Sequence, residues 1–444
     1  MSFIIDKQTL DDLNIFGKRG KDSIYSLFNR TATRGGAEQL EAWFRNPLSD
    51  ETAIRHRIAI IRFFKETNTH FIFRSELFDA AALYLNLSEG RVGLQHNSRW
   101  LERKWRQWMN TDMDYRSIRK GILSLVTLLQ DLKCWLLQLQ AGLPVAHPLL
   151  KEISAMQELM NIPEWISLFE PSARKPTYQL LVVFDKLLRF GHKERLTRLL
   201  QHVHSLDVFI AIAQVATTSQ FVFPEVMEQE AHALHLKNCW HPELKKPVPN
   251  SIDMTPGSSI IFLTGANMAG KSTFMKSVGI ALFLAHMGFP VPAESMRFSV
   301  RDGMLTTINL PDNLDMGYSH FYVEVLRVKK VATILARKKN MFIMFDELFR
   351  GTNVKDAHEG TVAIAGAFAQ KPNCQFIVST HIMEAGEVLR GQHNNISFQF
   401  LPTKMEGNTP VYTRRLESGI SADRHGMIII QNEGILDMLT KQSS

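Results

Sequence analysis

Cysteine is scarce in this chain: 444 residues hold three, Cys134, Cys239 and Cys374. They lie far apart and in no metal-ligand spacing, which excludes a disulfide framework or a zinc cluster and predicts small buried hydrophobes in a reducing compartment. The N-terminus lacks a basic segment followed by a long apolar core, so no secretory signal is expected. Uninterrupted apolar stretches are missing too. The best candidate, 279–292, is short and carries His286 and proline, and 122–143 carries Asp131 and Lys133. No membrane span and a cytoplasmic location are expected. There is no internal repeat, low-complexity linker or basic tail. The net charge of +7, from 51 basic and 44 acidic residues, permits a polyanionic partner without demanding one.

What is present is ordinary for a soluble protein, 45% hydrophobic and 21% charged, in a length that suits two or three domains. From about Asp22 to Pro224 the patterning is almost entirely helical. Ile122, Leu125, Leu129, Leu132, Leu136, Leu139 and Leu143 keep a 3-4 spacing, which predicts a long helix burying one stripe. Packing within a helical domain explains the stripe best, and a dimeric coiled coil is the alternative. After Pro224 short apolar runs at 259–264, 304–308, 341–345 and 375–380 alternate with helix-like stretches, the pattern of an α/β domain on a largely parallel sheet. The boundary falls near Phe223 to His241. The reading is a multidomain α and α/β protein, with a helical core over 1–230 and an α/β domain over 231–444.

One segment specifies chemistry. Residues 265–273 read G-A-N-M-A-G-K-S-T, a complete phosphate-binding P-loop between an apolar strand and a helix-like run. Gly265 and Gly270 let the backbone curl with Ala266, Asn267, Met268 and Ala269 offering N–H groups. Lys271 reaches the β- and γ-phosphates, Ser272 holds Mg²⁺, and Thr273 opens the helix whose N-terminus faces the anion. The expected ligand is a nucleoside triphosphate.

Two further strand ends complete the set. The apolar run 341–345 ends in Asp346 and Glu347, suited respectively to ordering Mg²⁺ with its waters and to polarising the attacking water. The run from Gln375 ends at His381, where an imidazole can sense or stabilise the transferring phosphoryl group. Arg350, Gly351 and Thr352 follow the carboxylates directly, in a loop that could couple the site to a neighbour.

In these blocks the chain resembles the MutS family of DNA mismatch-repair ATPases, relatives of the ABC ATPases. The resemblance rests on T-G-A-N-M-A-G-K-S-T at 264–273, D-N-L-D-M-G-Y-S-H-F-Y-V-E at 312–324, D-E-L-F-R-G-T-N at 346–353 and S-T-H at 379–381. Upstream, 24–37 with 43–48 is similar to the opening of the family's helical core (lever) domain, and 206–216 to its closing helix. The resemblance implies an ABC-type Mg-ATPase using ATP and Mg²⁺, and a homodimer through the ATPase domains with a C-terminal dimerisation segment. It also implies that Gly317, Ser319 and Glu324 lie in a segment presented to the other subunit's ATP, although a plain helix cap explains Ser319 as well. By the same route Asn250 falls to the nucleotide site, with Pro247 standing where many relatives have an aromatic residue. Departures at Ala266, Ala269, His320 and Phe349 remove no catalytic group.

Relatives that read mismatches carry an N-terminal domain with a Phe-x-Glu wedge, followed by a connector, and this sequence starts at or near the core. The helical region is also short for a full DNA clamp. A possible DNA surface mixes Arg99, Trp100, Arg103, Lys104, Trp105, Arg106 and Trp108 with Arg116, Arg119 and Lys120; an amphipathic helix with a solvated basic face explains the same residues and is favoured. The leading expectation is a nucleotide-switched, dimeric DNA-binding ATPase of mismatch repair or a related repair process. The alternative is a nucleotide-switched protein- or ribosome-interaction ATPase with little DNA contact.

Overall fold

The computed structural model describes residues 2–17, 22–87, 111–308, 320–337, 339–406, 409–421 and 438. The chain divides into two compact units. One comprises 29–42 and 59–214, and the other 1–28, 43–58 and 215–444.

In chain order the helices up to the end of the helical region are α1 (Lys7–Asp12), α2 (Ile24–Phe28), α3 (Arg34–Arg45), α4 (Glu51–Glu66), α5 (Ser75–Leu85), α6 (Thr111–Ala141), α7 (Leu149–Met160), α8 (Tyr178–Asp185) and α9 (Lys193–Thr218). The helical unit is organised by α6, which packs on α5, α7 and α8. Its predicted stripe is buried: Ile122, Leu125, Leu129, Leu132, Leu136 and Leu139 all lie in the core. Leu143 does not continue it, because the helix stops at Ala141 ahead of Gly142 and Pro144, and proline disfavours helix at the residue before it. Cys134 also departs from expectation. It is exposed, since it falls between Leu132 and Leu136 on the far side of the stripe, whereas Cys239 and Cys374 are buried as expected.

Two buried acids of this unit are held by partners within it. Asp207 accepts the N–H groups of Ala32 and Thr33 at 2.9 and 2.8 Å and the Thr33 hydroxyl at 2.6 Å, so α9 caps the start of α3 and joins the opening and closing segments of the helical region. Asp185 accepts the Tyr84 hydroxyl and the Arg189 guanidinium, each at 2.7 Å. Stretches 115–141 and 193–218 are long and apolar enough to cross a membrane by length and composition, with mean hydropathy of 1.4 and 1.3. In the most apolar 18-residue window of each, 56% and 67% is buried inside the protein, as in core helices.

In the second unit the strands are β1 (Glu225–Met227), β2 (Leu234–Cys239), β3 (Asn250–Met254), β4 (Ile260–Gly265), β5 (Ser295–Ser299), β6 (Gly303–Thr307), β7 (Met341–Phe345), β8 (Gln375–Ser379), β9 (Ile396–Leu401), β10 (Thr403–Glu406), β11 (Thr409–Tyr412) and β12 (Glu417–Ser418). Its helices are α10 (Lys271–His286), α11 (His320–Leu335), α12 (Val354–Ala369) and α13 (Met383–Gln392). Six strands form the main sheet in the order β12-β9-β4-β8-β7-β6, parallel except for β12. All four predicted strands are in it. They read as unbroken apolar runs because helices cover both faces of such a sheet. One layer of the core stacks Phe345 on Phe368 and Phe368 on Phe376, ring centroids 5.8 and 4.4 Å apart.

A second sheet, β1-β5-β2-β3, is not anticipated from the sequence. Its strands are short and half-polar, and only the in-out alternation of Leu234 and Leu236 against His235 and Lys237 marks it. The N-terminal segment belongs to the sheet unit: Ile4 bridges Gly303 at the start of β6, and Asp12 accepts the Thr306 hydroxyl at 2.7 Å and the Ile308 N–H at 2.9 Å.

Candidate functional site

The site grows from the C-terminal ends of β4, β7 and β8, the end of a parallel sheet where loops meet and ligands bind. β4 is buried along its whole length, which fixes the start of the following loop. Gly265 (φ 138°) and Gly270 (φ 105°) both take left-handed backbone, and a Cβ on Gly265 would lie 2.9 Å from the Leu401 carbonyl oxygen. Between them Met268 also has positive φ, 71°, with its side chain 81% exposed. The loop closes through the Ala269 N–H to the Ala266 carbonyl at 3.2 Å, and α10 begins at Lys271.

Lys271 is buried, and its ammonium donates to the carbonyls of Gly265 at 2.9 Å and Ala266 at 3.2 Å. Burial lowers its pKa, while the neighbouring Glu347 and Asp346 carboxylates act against that shift. Ser272 donates its hydroxyl to one oxygen of Asp346, and Ser379, at the tip of β8, donates to the other. Asp346 thus links the β4 loop to β7 across the strand between them. Burial raises its pKa, opposed by the two hydroxyls, and the charge of Glu347 adds to the rise. Glu347 (φ 52°) donates its N–H to the Ser379 hydroxyl at 3.0 Å, and its carboxylate pairs with Arg350 at 3.2 Å. His381 lies exposed two residues beyond β8.

Lys271, Ser272, Asp346 and Glu347 therefore come together, with the hydroxyl of Ser379 between the two acids. Ser379 lies within a matched block, yet no pattern assigns its hydroxyl a partner. Asn267, Ser272 and Thr273 are exposed around the loop. Gly317 and Ser319 lie outside the described residues, as do Arg99 to Trp108. Arg116, Arg119 and Lys120 are exposed on α6, with Ile118 buried on the opposite side.

Beside the loop opens a cavity of about 250 Å³ lined by residues that include His241, Pro247, Val248, Asn250, Met268, Phe274 and Arg414. Asn250 is at its wall with the carboxamide already engaged. The oxygen accepts the Leu416 N–H at 2.7 Å, and the nitrogen donates to the Arg414 carbonyl at 3.0 Å and the Val248 carbonyl at 3.3 Å. It holds the 414–416 backbone in place as part of the wall. Arg414 (φ 56°) comes from a segment more than 140 residues downstream of the loop, and nothing in its local sequence marks it. Burial lowers the pKa of His241 to about 4, with Lys276 adding to the effect.

The oxygen donors suit a hard divalent cation. A serine hydroxyl and a single carboxylate meet face to face, and among the described residues no group of three or more His, Cys, Asp or Glu could hold a metal. Mg²⁺ is commonly held by one or two carboxylates plus phosphate oxygens and water, without an all-protein cage.

Comparison with known proteins matches two family models, MutS domain III over residues 8–213 and MutS domain V over residues 261–443. The chain belongs to the MutS family. Its similar relatives include the DNA mismatch repair protein MutS of Fusobacterium nucleatum, 28% identical over 55% of this chain and 28% of that protein. The DNA mismatch repair protein MutS of Staphylococcus epidermidis is 32% identical over 48% of this chain and 25% of its own length. The DNA mismatch repair protein MSH3 of the yeast Vanderwaltozyma polyspora is 29% identical over 52% and 23% respectively. The chain spans about a quarter of the length of these relatives. The domain V match takes in the β4 loop, Asp346, Glu347, Ser379 and His381, and the domain III match takes in α3 to α6 and most of α9.

Proposed function

We propose that this MutS-family chain is a cytoplasmic Mg-dependent ATPase that acts as a homodimer on DNA, its nucleotide state switching the helical unit. The observation that carries the ATPase reading is the contact of Ser272 with Asp346, beside Lys271 and Glu347, where the start of α10 meets the end of β7 across β8. In this reading the N–H groups of 266–270 and the N-terminus of α10 hold the phosphates, and Lys271 exchanges its two carbonyl partners for phosphate oxygens. Ser272 and Asp346 would hold Mg²⁺, which when bound supplies charge neutralisation at the phosphates. Glu347 polarises the attacking water, Ser379 fixes the orientation of the acidic pair, and His381 faces the γ-phosphate. The cavity beside Met268 and Arg414 takes the base of the nucleotide.

Gly317 and Ser319, by family resemblance, would reach the nucleotide of a second copy, which is why a homodimer is proposed. DNA is proposed as partner because the relatives named above are mismatch repair proteins. ATP hydrolysis by the wild type, with a loss of at least roughly a hundredfold in Glu347→Gln, is the expected result. No hydrolysis above background in the wild type, or equal hydrolysis in the variant, refutes the catalytic assignment. Salt-sensitive retardation of duplex, mismatched or branched DNA tests the DNA part, and no retardation at low salt would overturn it.

A further inference from the structure

The turn that carries Glu347 is held from two sides. On one side Ser379 of β8 takes the Glu347 N–H, and its carbonyl takes the Leu348 N–H at 3.3 Å. On the other side stands α11. The Glu324 carboxylate, one turn into that helix, lies beside the turn: burial raises its pKa, and the backbone N–H groups of Gly351 and Arg350 act against that rise. Contact between the helix and the turn is close: a Cβ on Gly351 would lie 2.6 Å from the Phe321 nitrogen and 2.8 Å from the His320 Cβ. The rings of Phe321 and Phe349 meet at 5.7 Å.

Two features set this contact apart from ordinary packing. Glu347 and Phe349 both hold positive φ, 52° and 62°, a conformation that costs non-glycine residues about 1 kcal/mol or more and persists only where neighbours enforce it. Glu324 also keeps its second carboxylate oxygen buried without a hydrogen-bond partner. A buried carboxylate oxygen without a partner is expensive. From the same turn the Arg350 guanidinium reaches back to the Glu347 carboxylate at 3.2 Å.

We infer that Glu324 is a positioning residue: with its buried carboxylate packed beside the Arg350–Gly351 backbone it ties the turn bearing Glu347 to α11, so that movement of α11 moves the carboxylate that polarises water. The family resemblance places Glu324 in a segment presented to a second subunit, whereas here its side chain turns to its own chain. The inference rests on the reading of Glu347 as the hydrolytic carboxylate and deepens it by naming what regulates that group. Arg350 is the second link, since the turn that Glu324 fixes also carries the cation beside Glu347.

The test uses the full chain with ATP and Mg²⁺, and compares Glu324→Ala and Glu324→Gln with the wild type and Glu347→Gln. Glu324→Ala should lower kcat by roughly tenfold to a hundredfold, the effect of a misplaced catalytic group, with the Kd for ATP within about twofold. Glu324→Gln keeps an acceptor oxygen and the same shape, and should recover most of the lost kcat. Hydrogen exchange at 347–353 supplies a readout independent of catalysis, expected to quicken about tenfold in Glu324→Ala on loss of the carboxylate that packs beside the turn. Wild-type kcat in Glu324→Ala while Glu347→Gln is inactive overturns this inference alone, and so does unchanged exchange at 347–353. Wild-type hydrolysis in Glu347→Gln overturns the reading of Glu347 itself.

Discussion

The two units treat their polar groups in opposite ways. In the helical unit Asp185 is closed off with Tyr84 and Arg189, and Asp207 is spent on the start of α3. In the sheet unit Lys271, Asp346 and Glu347 converge at strand ends. Their partners are loop carbonyls, two hydroxyls and an exposed arginine, all of which a ligand can replace. Backbone strain follows the same division. Of the nine non-glycine residues with positive φ among those described, eight lie in the sheet unit, and Met268, Glu347 and Phe349 are in the loops of the site. Strain concentrated beside convergent charge marks a built site, whereas closed polar pairs mark a scaffold.

The sharpest way to break that contrast is to open a closed pair. Asp185→Ala leaves the buried Arg189 charge without its carboxylate and the Tyr84 hydroxyl without its acceptor, and should destabilise the protein by about 3–5 kcal/mol. Because the pair is scaffold, the Kd for ATP of the folded fraction should stay within about twofold. Urea unfolding and nucleotide titration on the same samples check both halves. A small stability change with a large loss of affinity would assign Asp185 to the function.

Next in size is a closed polar group inside the sheet unit itself. His286 is fully buried at the end of α10, and its Nδ1 lies 2.9 Å from the Leu48 carbonyl while Nε2 accepts the Arg301 N–H at 3.3 Å. These partners require the neutral tautomer with hydrogen on Nδ1, and burial pushes the pKa down to about 4. The unfolded chain takes up this proton near pH 6.5, before the folded one does. His286 therefore contributes stability that is fully present above about pH 6.5 and is lost as pH falls toward 4, up to about 3 kcal/mol. His241, also lowered to about 4, adds a slope of the same sign, so the informative quantity is the difference between the wild type and His286→Leu. Equal slopes in the two proteins over pH 4–6.5 would remove His286 as the cause.

How much of this was legible follows from how each feature is encoded. The β4 loop and the Asp346–Glu347 pair are contiguous motifs on strands buried on both faces, so apolar runs and local order suffice to find them. The α6 stripe is legible by period, up to the point where Gly142 and Pro144 end the helix. Partnerships that the fold alone creates are not legible. Ser379 reads as one residue of an apolar strand, and its bond to Asp346 depends on the β7-β8 register. The wall made by Asn250 and Arg414 joins residues 164 positions apart. Glu324 reads as part of an outward-facing segment until its carboxylate is seen on the Arg350–Gly351 turn.

The smallest expected effect bears most directly on strain. Met268 is 81% exposed and sits at φ 71°, so its side chain gains little from burial while its backbone bears the left-handed penalty. Met268→Gly removes that penalty and also enlarges the conformational freedom of the unfolded chain, and the two terms oppose each other. The left-handed cost of a non-glycine residue is roughly 1–2 kcal/mol and the added freedom of glycine roughly 0.5–1 kcal/mol, so a net gain of about 0.5–1 kcal/mol is expected. If the loop is held in shape for phosphate rather than for stability, this more stable variant should bind ATP no better, and weaker by about twofold to fivefold because a glycine loop must be ordered on binding. Paired thermal unfolding and nucleotide titration decide it. A variant both more stable and tighter-binding would mean that the strain at Met268 serves neither fold nor ligand, and the contrast between the units would then rest on charge alone.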